Sequence, residues 1–115
     1  MSYRIVGCAM EVHKVLGAGF LESVYEEVLK VEFRENNISY ESQKSFPVIY
    51  KNVSVKDFVC DLVVDEKIIV ELKAIKKISD IERAQVLNYL KVTGYKLGLL
   101  INFGQTSLKF ERLVN

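Results

Sequence analysis

Two acids and a lysine stand where a buried strand would not ordinarily tolerate them. Asp61 lies within Phe58-Val-Cys-Asp-Leu-Val-Val64, and Glu71 and Lys73 lie within Ile68-Ile-Val-Glu-Leu-Lys-Ala74. The polar triplet Asp65-Glu66-Lys67 separates these runs, so the pattern predicts a β-hairpin with a short loop. Both runs are apolar on both faces, which predicts strands in the centre of a covered sheet. An ionisable group there is costly unless it is paired or binds a cation.

The register decides what these residues can do together. With a three-residue loop, Val64 pairs with Ile68 and Asp61 falls opposite Glu71, their Cβ atoms ~5 Å apart. A two- or four-residue loop would slip the pairing by one. Two carboxylates so placed repel each other unless a proton or a divalent cation lies between them, and oxygen donors of this kind suit Mg2+ or Mn2+. Glu71 and Lys73, two residues apart, share one face of their strand. The competing reading is an internal salt-bridge network or a solvated face. The neighbours Val59, Cys60, Leu62, Val70, Leu72 and Ala74 oppose a face that is simply wet, and the balance favours a site.

The remaining elements must hold that hairpin in place. Ile5, Ala9, Val12 and Leu16 recur at helical spacing, and Gly17-Ala18-Gly19 stops the helix they define. A second helix is expected from about Leu21 to Glu35, with Leu21, Val24, Val28, Leu29 and Phe33 as its apolar stripe. Phe46, Val48 and Tyr50 then alternate as a strand, Lys51-Asn52 reads as a turn, and Pro47 points to an edge or a bulge. Ser79 and Glu82 form a capping box before a helix to about Val92, with Ile81, Ala84, Leu87 and Leu90 expected to face the core. Thr93-Gly94 ends it. Leu97 to Phe103 and Leu108 to Val114 complete the strands. The predicted order is ααβββαββ: one α/β domain over residues 1–115, with a mixed sheet flanked by helices.

Composition narrows the function classes. Half of the 115 residues are hydrophobic and 27% are charged, as in an ordinary packed domain rather than a disordered one. Sixteen Lys and Arg against fifteen Asp and Glu leave a formal charge of +1. An anionic partner must therefore be held by local charge, not by bulk attraction. No apolar run approaches the ~18 residues of a membrane span, and Cys8 and Cys60 read as buried thiols of a reducing compartment. A soluble, cytoplasmic protein is expected. No zinc spacing occurs, and Gly17-Ala-Gly19 lacks the third glycine and the preceding strand of a phosphate-binding loop. His13 has no second histidine to work with and is expected to pack or cap. Cys60 is expected in the core.

Several stretches carry a resemblance. Asp61 followed by Glu71-Leu72-Lys73 resembles the D…(D/E)-x-K signature of the PD-(D/E)XK nuclease superfamily, with Cys60 where a proline often precedes the aspartate. Gly19-Phe-Leu-Glu22-Ser-Val-Tyr25 resembles the motif of the small prokaryotic GxxExxY family, assigned to that superfamily. Glu11-Val-His-Lys-Val-Leu-Gly17, Val70-Glu-Leu-Lys-Ala74 and Leu97-Gly-Leu-Leu-Ile-Asn-Phe103 are similar to the same family. Gln85-Val-Leu-Asn-Tyr89 resembles the Q-x-x-x-Y motif of RecB-like and phage-exonuclease-like members, and its spacing puts Gln85 and Tyr89 on one helical face.

The resemblance implies a restriction-endonuclease-like core and a metal-dependent nuclease acting on nucleic acid, with DNA ahead of RNA. It implies that Glu22, Asp61 and Glu71, with the carbonyl of Leu72, hold Mg2+ or Mn2+, and that Lys73 orients or deprotonates the water. Gln85 is expected to fix Lys73 or the nucleic-acid backbone, and Tyr25, Tyr89, Lys76 and Lys77 to contact nucleic acid. Packing is the competing reading for the two tyrosines, a helix–sheet hydrogen bond for Gln85, and a solvated loop for the two lysines. A non-catalytic binding or assembly module on the same fold is the alternative function. The small size leaves room for a homodimer or a protein partner.

Overall fold

Asp65 and Glu66 both adopt left-handed backbone, with φ of 55° and 56°, and so close the central hairpin over three residues. The Lys67 N–H donates to the Val64 carbonyl at 3.1 Å across that turn. The structure is a computed structural model that describes all residues, 1–115. Its elements run α1 (Ser2–Leu16), α2 (Glu22–Glu35), β1 (Tyr40–Tyr50), β2 (Val53–Val64), β3 (Ile68–Lys73), α3 (Asp80–Thr93), β4 (Leu97–Asn102) and β5 (Lys109–Val114). This is the expected order.

The five strands form one sheet in the order β1-β2-β3-β4-β5. Only β3 and β4 run parallel, because α3 lies between them in the chain and makes the crossover. β1 is an edge strand, which accommodates Pro47, and its register with β2 shifts between Val48 and Ile49. Lys51 and Asn52 both have positive φ, the backbone of a tight hairpin turn. β2 begins five residues earlier than Phe58, so β1 and β2 build a long two-stranded arm whose tip carries exposed Ile49, Tyr50, Val53 and Val55.

The sheet separates two cores. α1 and α2 cover one face, where Ile5, Ala9, Val12, Leu29 and Phe33 pack against Leu62, Val70, Leu72, Leu99 and Ile101. α3 covers the other, where Leu90 packs with Cys60, Val63 and Ile69, and Val86 with Ile78 and Leu100. Two helix faces differ from expectation. On α2, Leu21 and its neighbours do not lead the stripe; Leu21 is exposed while Tyr25 and Glu26 turn inward. On α3, Ile81, Ala84 and Leu87 are exposed, and Val86 and Leu90 are the buried pair. The cause lies in β4, where Gly98 lets the helix approach so closely that a Cβ there would lie 2.6 Å from Val86 Cγ1. The capping box forms as expected, with the Ser79 N–H donating to Glu82 Oε1 at 2.7 Å and the Ile81 N–H donating to Ser79 Oγ at 3.3 Å. Gly94 ends the helix in the left-handed conformation.

The segment leaving β4 is pinned to the segment leaving β3. The Phe103 N–H donates to the Lys73 carbonyl at 2.8 Å, and buried Asn102 brackets Ile75, accepting from its N–H at 3.0 Å and donating to its carbonyl at 2.9 Å. Gly104 lies directly on this backbone. An alanine Cβ there would fall 2.3 Å from the Ile75 carbonyl oxygen and 2.4 Å from its nitrogen, and main chain cannot step aside as a side chain can. Gly104→Ala is therefore expected to lower the free energy of unfolding by at least about 2 kcal/mol. Urea denaturation checks it, and an unchanged midpoint would show that the β3 and β4 ends are not locked together.

Candidate active site

Pairing between β2 and β3 follows the register expected from a three-residue loop: Val64 with Ile68, Val63 with Ile69, Leu62 with Val70. There the ladder stops, and the next pair along is Asp61 and Glu71. Instead of exchanging backbone hydrogen bonds, each residue's side chain accepts from the opposite strand. Asp61 Oδ2 accepts from the Leu72 N–H at 2.9 Å, and Glu71 Oε1 accepts from the Asp61 N–H at 3.1 Å. Two carboxylates thus sit between strands that part at this point.

The local backbone explains why Asp61 can reach across. In a regular strand, residues two apart share a face. Cys60 nevertheless belongs to the α3-side core and Leu62 to the α1/α2-side core, so β2 reverses its faces at Asp61. Glu71 follows the alternation of β3 and shares the α3-side face with Ile69 and, two residues on, with Lys73.

Electrostatics makes the pair unstable as two bare anions. Burial pushes the Glu71 carboxyl up to about 8; the charge of Asp61 adds to the shift, and the Asp61 N–H and Lys73 oppose it. Glu22, on the first turn of α2, is also raised, by partial desolvation and by Asp61, with Lys73 opposing. Burial raises the Cys60 thiol to about 12, with Glu71 and Asp61 adding to it. That thiol is a protonated core residue at neutral pH. Cys8 is likewise free and buried.

The other expected site residues divide. Lys73 is half-buried at the end of β3 and forms no ion pair. Gln85 and Tyr89 come together on α3, the Gln85 amide donating to the Tyr89 hydroxyl at 3.0 Å. No hydrogen bond joins Gln85 to Lys73. The Tyr89 ring stacks on Phe58 at 4.5 Å, and burial followed by the Glu71 charge raises its phenol, against the Gln85 hydrogen bond. Lys76 and Lys77 are exposed in the loop between β3 and α3. Leu72 enters through its N–H, donated to Asp61.

Tyr25 requires a correction. Expected to contact nucleic acid, it is fully buried; its hydroxyl donates to the Gly17 carbonyl at 2.6 Å and accepts from the Phe20 N–H at 3.2 Å. Its ring stacks on Phe103 at 4.5 Å. The hydroxyl's two hydrogen bonds and the stacked ring tie the α1–α2 turn to the end of β4. His13 supports the same region, its Nε2 lying 2.8 Å from the Gln105 carbonyl, as expected of a packed histidine.

The metal set expected from sequence comes together only in part. Asp61 and Glu71 meet, but no three His, Cys, Asp or Glu side chains assemble as a group that could hold a metal ion. Glu22, exposed on the first turn of α2, lies within reach of the Asp61 and Lys73 charges without joining their pair as a third close ligand. No buried polar side-chain atom lacks a partner. The case for a cation therefore rests on the donor set itself. Two hard oxygen ligands and an unfavourable carboxylate–carboxylate contact fit Mg2+ or Mn2+.

Reasoning from motifs missed two residues bearing on this site. Glu26 is only 8% exposed, and Gln43 Nε2 donates to both its carboxylate oxygens, at 2.9 and 3.1 Å. The only sequence signal was an acid four residues after Glu22, on the same helical face.

An α/β fold whose central antiparallel hairpin opens around two carboxylates, followed by a lysine two residues on, is a restriction-endonuclease-like core. The chain belongs to the PD-(D/E)XK nuclease superfamily, whose sequence model matches residues 1–113. Among proteins of curated function, none matches this sequence. The crystal structure of SSO0001 is similar in fold, with a TM-score of 0.57 at 14% identity, over 81% of this chain. The chain spans about half of that protein, 49% of its length.

The Glu71 shift has a measurable consequence. A carboxyl whose folded pKa lies above its unfolded value keeps its proton in the folded state while the unfolded chain releases it. Its contribution is full below pH ~4.5 and is lost as pH rises to about 8. Without divalent cations, stability should therefore fall between pH 5 and 8, with a slope of up to about 1.4 kcal/mol per pH unit, the one-proton limit. Glu71→Gln should flatten this slope. Urea titrations in chelator check it, and equal slopes in both proteins would contradict the assignment.

Proposed function

We propose that this chain is a metal-dependent nuclease that hydrolyses phosphodiester bonds, in DNA ahead of RNA. The observation that carries the reading is the Asp61–Glu71 pair at the parting of β2 and β3, with Lys73 on the Glu71 face and free of any ion pair. Membership of the nuclease superfamily supports it. The motif Gly19 to Tyr25 and the Gln85–Tyr89 pair support the finer placement, a GxxExxY protein of the RecB-like branch.

In this reading Asp61 and Glu71 would hold Mg2+ or Mn2+. Glu22 approaches from α2, and the Leu72 carbonyl is a further candidate ligand. A bound dication supplies charge for the phosphoryl oxygens and lowers the pKa of water. Lys73 orients the attacking water and takes its proton, or stabilises charge on the phosphate, from a position two residues beyond Glu71. The Tyr89 hydroxyl, held by the Gln85 amide, contacts a phosphate. Lys76 and Lys77 extend that contact along the loop.

A second reading, a binding or assembly module that retains the fold without catalysis, draws on one observation. Both carboxylates already accept backbone N–H groups, so they serve the hairpin without any metal.

Cleavage separates the two. Wild-type protein should cut at least one of duplex DNA, single-stranded DNA or RNA with Mg2+ or Mn2+. Glu71→Ala and Lys73→Ala should each lose about 100-fold or more of that activity while unfolding cooperatively. An inert wild type across all three substrates and both metals would remove the nuclease reading and leave the binding module.

A further inference from the structure

We propose that Glu26 and Gln43 form a positioning pair that fixes where Asp61 points. The inference takes its functional meaning from the site proposed above and its evidence from the backbone of β1. Pairing of β1 with β2 joins Ser42 to Leu62 and Lys44 to Cys60 but skips the residues between, Gln43 and Asp61. Gln43 has φ 51°. A non-glycine residue pays roughly 1 kcal/mol or more for left-handed backbone, so something must hold it there.

Glu26 is that hold. Its carboxylate is buried on α2, where an unpaired charge would be strongly unfavourable. Gln43 Nε2 satisfies both its oxygens, with Ser42 Oγ at 3.5 Å and Lys30 Nζ at 3.7 Å completing the set. The amide is thus tied to the helix through two contacts, and the left-handed turn at Gln43 is over-determined.

The irregularity propagates directly across the ladder. Facing Gln43, β2 reverses its faces at Asp61, so that Cys60 enters one core and Leu62 the other. If Gln43 returned to extended backbone, β2 could resume strict alternation, and Cys60 would turn to the face of Leu62. Asp61 would then leave the position from which Oδ2 meets the Leu72 N–H. The same pair also fixes α2 against β1. Glu22 lies four residues before Glu26, on the same helical face, so this anchor sets its distance from Asp61 too.

The test reads Asp61 through the Leu72 amide proton and needs neither metal nor substrate. Gln43→Ala keeps the cost of left-handed backbone at this position and removes the amide that offsets it; Glu26→Ala removes the other half. In both, the Leu72 amide proton, deshielded by its carboxylate acceptor, should move upfield. It should also exchange about 10-fold faster relative to the Ile69 and Leu100 amides. The exchanged pair Glu26→Gln/Gln43→Glu rebuilds the amide–carboxylate contact with the roles reversed, and should restore shift and protection. An unchanged Leu72 amide in Gln43→Ala overturns the proposal, and so does loss in the single variants without recovery in the exchanged pair. Because the readout is independent of cleavage, an inert wild type would remove the nuclease reading and leave this inference standing.

Discussion

At the middle of its most buried hairpin, this protein gives up backbone pairing and puts two carboxylates in its place. Beyond Leu62 and Val70, the N–H groups of Asp61 and Leu72 are taken by Glu71 and Asp61 side chains rather than by carbonyls. An unmatched N–H at that depth is costly, and so is an unneutralised carboxylate. Each defect is partly answered by the other. What stays unanswered is the burial of Glu71, which raises its pKa, and the repulsion from Asp61 that adds to it. A proton relieves it in the absence of metal, and a divalent cation would relieve it while leaving both groups ionised.

Much of the fold serves to hold that opening. The parallel β3–β4 pair is buried beneath helices on both faces, so one wall of the site cannot yield. The ends of β3 and β4 are locked by Asn102, by the Phe103 N–H and by the close approach of Gly104. On the other wall, the part of β2 before Leu62 pairs only with β1, an edge strand, and its path follows the turn at Gln43. Rigidity on one side and a single anchored irregularity on the other allow the strands to part at one place without unravelling the hairpin.

Local chemistry made much of this legible in the sequence. The three polar residues 65–67 gave the register that sets Asp61 beside Glu71, and Ser79 with Glu82 marked the start of α3. Pro47 marked the edge strand. Features decided by long-range packing were less legible. The inward face of α3 depends on how closely Gly98 lets the helix approach, so the expected Ile81, Ala84 and Leu87 face lies outward. Tyr25 is buried by stacking on Phe103, a residue remote in sequence that lies just past the far end of β4. The reversal of β2 at Asp61 could not be read from Asp61 at all. It is tied to a glutamine on the neighbouring strand and an acid on a helix, with sequence separations of 18 or more between Asp61 and each of them.

The central claim is that Asp61 and Glu71 form a cation site. Crystals soaked in Mn2+ and measured at an anomalous wavelength test it most directly. The account predicts one strong anomalous peak within about 2.0–2.4 Å of a carboxylate oxygen from each of Asp61 and Glu71, absent from Glu71→Ala crystals. Mn2+ bound elsewhere with that pair vacant, or Asp61 turned out to solvent, would contradict it.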